Sequence, residues 1–98
     1  MEPRTRHPNR AEIRSTVITA LLATKPEQHA AAALLIDDET AIGGAGLGIS
    51  SLNLLQALVR IEDELGIVFD DRAVADAALQ SVGAVADLVE HVLAEQKQ

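Results

Sequence analysis

Two adjacent serines, Ser50 and Ser51, lie where a glycine-rich stretch meets an apolar segment with helical spacing. A serine at the N-cap of a helix accepts a backbone N–H through its side-chain oxygen. If Ser50 takes that position, Ser51 is the first helical residue and its hydroxyl points outward, free to react. A phosphate ester at Ser51 would lie near unpaired N–H groups and the positive end of the helix. The pattern allows a phosphodiester attachment point, or a serine cap alone.

Three other kinds of site are weakly supported. The glycines at 44, 46 and 48 lack the Lys-Ser/Thr pair and the spaced third glycine of nucleotide-binding loops. The residues around Ser51 lack the second glycine of a hydrolase nucleophile elbow. The acidic run Asp37-Asp38-Glu39 lacks the alternating ligand spacing of a calcium loop. We therefore predict no metal site, and a small serine hydrolase is the least favoured alternative.

The composition indicates one small helical domain. The chain has 98 residues, a formal net charge of −7, no cysteine and one aromatic residue, Phe69, which we expect to fill the core. From Pro26 onward, the sequence contains three basic residues and thirteen acidic ones. An acidic surface repels nucleic acid and anionic lipid, and no apolar run is long enough to span a membrane. We expect a cytoplasmic monomer that binds neither nucleic acid nor membrane.

Apolar residues at helical spacing predict an all-α fold, a small bundle of three main helices and one short helix. Each helix has a capping residue at its start. The predicted helices and caps are Arg10–Ala23 after Asn9 with Glu12 closing a capping box, Ser50 or Ser51 to Leu65 with Gly66 ending it, Arg72–Leu79 after Asp70 or Asp71, and Val82–Ala94 after Ser81. In the third, Val74 and Ala78 should face inward.

The predicted helices belong to one domain, residues 9–95, preceded by a disordered arm, residues 1–8. A long loop separates the first two main helices. Its first part, residues 27–36, is apolar and alanine-rich, and both a short helix and a buried strand fit it.

The second predicted helix has two apolar stripes. Leu54, Leu58, Ile61 and Leu65 recur at steps of four, three and four residues, as a core face does. Leu52, Leu55 and Val59 form a second stripe beside them. Either this helix is buried over a wide arc, or the second stripe is partly exposed and docks partner proteins. The pattern leaves both interpretations open.

The segment Leu47-Gly48-Ile49-Ser50-Ser51-Leu52 resembles the attachment motif of acyl and peptidyl carrier proteins, usually written L-G-x-D-S-L. The likeness extends over about residues 13–93. It includes Gln56–Ile67 as the family's second helix with its acidic end, Asp70-Asp71 before the third helix, and Ser81-Val82 at the start of the last.

The resemblance implies that Ser51 receives a 4′-phosphopantetheine arm from coenzyme A, attached by a phosphopantetheinyl transferase. The arm's thiol would hold an acyl or aminoacyl group as a thioester, loaded by one enzyme and used by downstream synthases or transferases. The chain itself would catalyse nothing. By the same resemblance, partner enzymes would recognise Ser50 and the second helix, at Leu52, Leu55, Val59, Glu62 and Asp63.

Ser50 departs from the family pattern, which usually has Asp, or His in many peptidyl carriers. Serine still caps the helix, but a charged contact with the transferase or with partners would be lost. The face formed by Asn53, Gln56 and Arg60 is also less acidic than in fatty-acid carriers. Both departures favour a free-standing carrier of polyketide, nonribosomal-peptide or similar antibiotic-type biosynthesis. The alternative is an unmodified adaptor of the same fold that binds a partner through the second helix.

Overall fold

The computed structural model describes residues 8–24, 36–44 and 46–96. These residues form four helices, α1 (Arg10–Ala23), α2 (Ser51–Leu65), α3 (Asp71–Asp76) and α4 (Val82–Gln96), and contain no strand. The predicted all-α bundle of three main helices and one short helix is confirmed. None of these helices has the length and apolar character needed to cross a membrane. The predictions for residues 1–8 and 27–36 lie outside the described residues, except at Pro8 and Ile36.

Local capping explains where α1 begins and α2 ends. The Glu12 N–H donates to the Asn9 side chain and the Asn9 N–H donates to the Glu12 carboxylate, each at 2.9 Å, which completes the predicted capping box. Gly66 ends α2 in the left-handed conformation, with φ at 67°. Its N–H donates to the Glu62 carbonyl oxygen at 2.8 Å. A glycine tolerates this backbone conformation without strain.

An aliphatic core lies where α1 packs against both α2 and α4. Phe69, which follows α2, is buried in it as predicted. No polar or charged residue within the described ranges is buried. The connection before α2 also contributes three buried side chains, Ile42, Leu47 and Ile49. Other core residues include Ile13, Val17, Leu21, Leu58, Ile61, Val82, Val85, Val89 and Val92.

The third helix is shorter than the sequence predicts. It ends at Asp76 instead of Leu79, and Ala77 is extended, with φ −79° and ψ 128°. Ala78 is exposed, so its predicted inward position is wrong, whereas Val74 packs partly buried against the core. The reason is a backbone pairing further along, where the Ile42 N–H donates to the Gln80 carbonyl oxygen at 2.9 Å. This pairing needs a non-helical backbone, and the Gln80 N–H donates to the Ala78 carbonyl oxygen at 2.8 Å in a tight turn.

Candidate functional site

The loop before α2 is fixed by hydrogen bonds and by buried side chains. The Leu47 N–H donates to the Ala41 carbonyl oxygen at 2.9 Å. The Ile49 N–H donates to the Ile42 carbonyl oxygen at 2.8 Å. A Cβ atom at Gly46 would collide with the Ala41 carbonyl group, so the close approach of the two backbones requires glycine. The chain therefore enters α2 from a fixed position.

Ser50 caps α2 and Ser51 is its first residue, as predicted. The Ser50 hydroxyl oxygen accepts the Asn53 N–H at 3.1 Å, and the Ser50 carbonyl oxygen accepts the Leu54 N–H at 2.8 Å. Ser50 is thus the N-cap, with extended backbone. Ser51 is the first helical residue and its side chain is exposed. No acidic residue lies in the first turn of α2, so the positive end of the helix is not neutralised there.

An open groove of about 380 Å³ begins beside the two serines. Its walls combine the loop before α2, the first turn of α2 and the non-helical chain before α4. The lining is mixed, with the apolar side chains of Ile49 and Leu54 next to the two serines. Besides Ser50 and Ser51, the lining includes Gly43, Ile49, Leu54, Leu79 and Gln80.

The sequence did not point to the groove residues distant from the serines, Gly43, Leu79 and Gln80. They lie outside the helices, and the pairing of the chain at Ile42 with the chain at Gln80 brings the two segments together at the site. One signal was available in the sequence, since Ile42, Leu47 and Ile49 are interspersed with glycines. Apolar residues in a glycine-rich loop indicate that the loop packs onto the core, and all three are buried.

The second stripe of α2 is exposed, which resolves the two interpretations in favour of exposure. Leu52, Leu55 and Val59 are 65%, 52% and 56% exposed, respectively. We call these three residues the α2 apolar surface. Leu58 and Ile61 face the core, and Leu54 and Leu65 pack partly buried against it. Because the apolar surface begins one residue after Ser51, a protein bound there would lie next to its hydroxyl.

The two acidic candidates near the end of α2 have different surroundings. Glu62 is half-buried, and its carboxylate accepts the Phe69 N–H at 2.7 Å. This hydrogen bond ties the end of α2 to the chain that follows it. Asp63 is exposed. Glu62 therefore has a structural contact, which the sequence did not reveal, whereas Asp63 is the more accessible of the two to a partner.

Substituting these two acids should separate structure from recognition. We expect Glu62→Ala to lower the free energy of unfolding by about 1–2 kcal/mol, because the part-buried Phe69 N–H loses its acceptor. Asp63→Ala removes the same charge from an exposed site and should change it by less than about 0.5 kcal/mol. Urea unfolding followed by circular dichroism measures both. Equal losses of unfolding free energy in the two variants would mean that the hydrogen bond from the Phe69 N–H to Glu62 does not stabilise the fold.

One family model matches the chain, over residues 30–89, and it is described as a phosphopantetheine attachment site. The match spans more than half of the chain. It includes the loop before α2, both serines, the α2 apolar surface and about the first half of α4. No curated protein and no solved structure gives a significant match.

Proposed function

Because the chain belongs to the phosphopantetheine attachment site family, we propose that Ser51 is the residue that receives the 4′-phosphopantetheine arm. The observation that carries this proposal is the division between the serines. Ser50 uses its hydroxyl oxygen to cap α2, whereas Ser51 lies exposed at the first helical position. A transferase can reach Ser51 without disturbing the cap.

Coenzyme A supplies the arm in the proposed reaction. The Ser51 Oγ attacks the phosphorus atom that carries pantetheine, and a new O–P bond forms. The bond from that phosphorus to adenosine 3′,5′-bisphosphate breaks, and the serine proton passes to a base of the transferase. The positive end of α2 stabilises the negative phosphodiester that results. This role requires coenzyme A and a transferase in the same compartment, which we expect to be the cytoplasm.

The arm, once attached, supplies a thiol that carries an acyl or aminoacyl group as a thioester. Ser51 anchors it, and Gly43, Ile49 and Leu79 line the groove into which its base would fit. The chain thereby acts as a carrier that presents cargo to other enzymes.

The α2 apolar surface is the proposed contact for the transferase, the loading enzyme and the downstream synthases. Residues 51–60 contain one charged residue, Arg60, and no acid, whereas Glu62, Asp63 and Glu64 follow after Ile61. Burial of Leu52, Leu55 and Val59 would therefore provide most of the affinity near Ser51. Asp63 would contribute a charged contact at the far end. This charge pattern and the uncharged Ser50 favour specialised polyketide or nonribosomal-type biosynthesis over fatty-acid synthesis.

A second candidate function is an unmodified adaptor that binds a partner through the same surface. Ser50, in the position where carriers usually have Asp, favours this alternative because a transferase contact is missing. An adaptor would remain unmodified in its host, and its partner would bind Ser51→Ala as well as the parent protein.

Intact-mass spectrometry tests the proposal directly. The purified protein is incubated with coenzyme A and a broad-specificity phosphopantetheinyl transferase, and we expect a mass gain of one phosphopantetheine. Fragmentation should place the phosphodiester on Ser51. A reaction without transferase is the control. No mass gain with several different transferases would contradict the carrier function and favour the adaptor.

A further inference from the structure

Residues 38–42, which we call the bridging segment, join α4 to the loop before Ser51. On one side, the Gly83 N–H donates to the Asp38 carbonyl oxygen at 2.7 Å. The Val82 N–H donates to the Thr40 carbonyl oxygen at 3.0 Å. On the other side, the carbonyl groups at 41 and 42 accept the N–H groups of residues 47 and 49. The bridging segment thus lies between the first turn of α4 and the chain leading to the serines.

The side chain of Asp38 anchors one end of the bridging segment to α1. Its two oxygens accept from the Arg14 Nε at 2.7 Å and from the Arg10 Nη2 at 3.1 Å. Arg10 also pairs with Asp87 and Glu90 of α4, at 2.8 and 2.9 Å. The Arg14 hydrogen bond is the main reason that the pKa of Asp38 lies below its ordinary value. Five charged side chains therefore converge where α1, α4 and the bridging segment meet.

The backbone at this junction leaves no room for a side chain. A Cβ atom at Gly83 would lie 2.8 Å from the Asp38 carbonyl oxygen, so glycine permits the close approach of α4. The Asp38 side chain is 37% exposed, and exposed ion pairs stabilise a fold only modestly. We expect the ion pairs of Asp38 to affect the local order of the bridging segment more than the overall stability. Non-helical segments open more readily than the helices around them. Two charge-assisted hydrogen bonds restrain the bridging segment at the end farthest from the serines.

We propose that Asp38 is a positioning residue for Ser51, acting through the bridging segment. Arg10 and Arg14 hold Asp38, the bridging segment holds the backbone at 47 and 49, and that backbone fixes where α2 begins. The inference rests on the proposed function, in which Ser51 is the acceptor. When the bridging segment is loosened, the α2 apolar surface stays intact. The start of α2 can then shift, and the Ser51 hydroxyl moves away from the position needed to attack phosphorus.

The test measures the single-turnover rate of Ser51 modification at increasing transferase concentration. In Asp38→Asn we expect a maximal rate about tenfold lower, because small misplacements of a reacting group are costly. The half-saturating transferase concentration should stay the same, since docking is unaffected. A fraction of unfolded protein that refolds quickly would instead raise the half-saturating transferase concentration and leave the maximal rate unchanged. The matched control, Asp87→Asn, removes another carboxylate from Arg10 without touching the bridging segment, and should react like the parent.

Amide hydrogen exchange provides a second measurement that does not depend on modification. Asp38→Asn should lose protection at Leu47 and Ile49, while Val89 in the core keeps it. If Asp38→Asn does not fold, Arg14→Gln removes one donor to the same carboxylate and should show a smaller decrease in rate. An unchanged maximal rate, or equal decreases in Asp38→Asn and Asp87→Asn, would overturn the positioning role. Absence of modification in the parent protein would instead refute the proposed function.

Discussion

Replacing Ser51 with alanine is expected to abolish phosphopantetheine attachment, so that the mass of the variant stays unchanged under conditions that modify the parent fully. The substitution removes the only atom that the proposed reaction uses, the Ser51 Oγ. It should have little effect on folding, because the side chain is exposed and alanine is a good helix former. Intact-mass spectrometry after incubation with coenzyme A and transferase measures the effect. Circular dichroism verifies that the variant is folded.

Ser50→Ala is the matched control, because it removes the neighbouring hydroxyl. The Asn53 N–H then loses its acceptor, and we expect the free energy of unfolding to fall by about 1 kcal/mol. Modification should continue at Ser51. If Ser50→Ala blocked attachment while Ser51→Ala allowed it, the assignment of cap and acceptor would be reversed. If both variants were modified, the phosphodiester would lie on another residue.

The positions of Ser50 as N-cap and Ser51 as first helical residue could be predicted, because helix capping depends on residues close together in the sequence. An N-cap residue and the first helical residue are adjacent, and the glycines before them indicate where the helix begins. The groove beside Ser51 depends instead on the pairing of residues 41 and 42 with the chain before α4. No local pattern encodes a contact between segments so distant in sequence. The same pairing shortens α3 and makes its predicted inward residue, Ala78, exposed.

The main helices follow from periodicity and capping, but the charges that connect them do not. The apolar residues of α1, α2 and α4 recur at helical spacing, and each helix starts next to a residue that can cap it. The sequence presents Asp37, Asp38 and Glu39 as equivalent acids in a polar stretch. Only the fold distinguishes Asp38, because Arg10 and Arg14 lie one helical turn apart and reach the same carboxylate.

Leu58→Ala is expected to lower the free energy of unfolding by about 2–5 kcal/mol, the cost of emptying a packed core position. Leu58 is only 4% exposed and lies in the core cluster. Many domains of this size have only about 5–15 kcal/mol of stability, so the variant should unfold at a much lower urea concentration. Urea unfolding followed by circular dichroism measures the loss. The slope of the unfolding free energy against urea concentration should match that of the parent protein if unfolding stays two-state.

Leu55→Ala deletes the same atoms from the same helix, three residues earlier, and separates stability from docking. Leu55 is 52% exposed, so its truncation should cost less than about 1 kcal/mol. It should instead raise the half-saturating transferase concentration, since the variant has less apolar surface for a bound transferase to bury. Equal losses of stability in the two variants would show that both leucines are core residues. The apolar surface beside Ser51 would then be limited to Leu52 and Val59, which border a much smaller area.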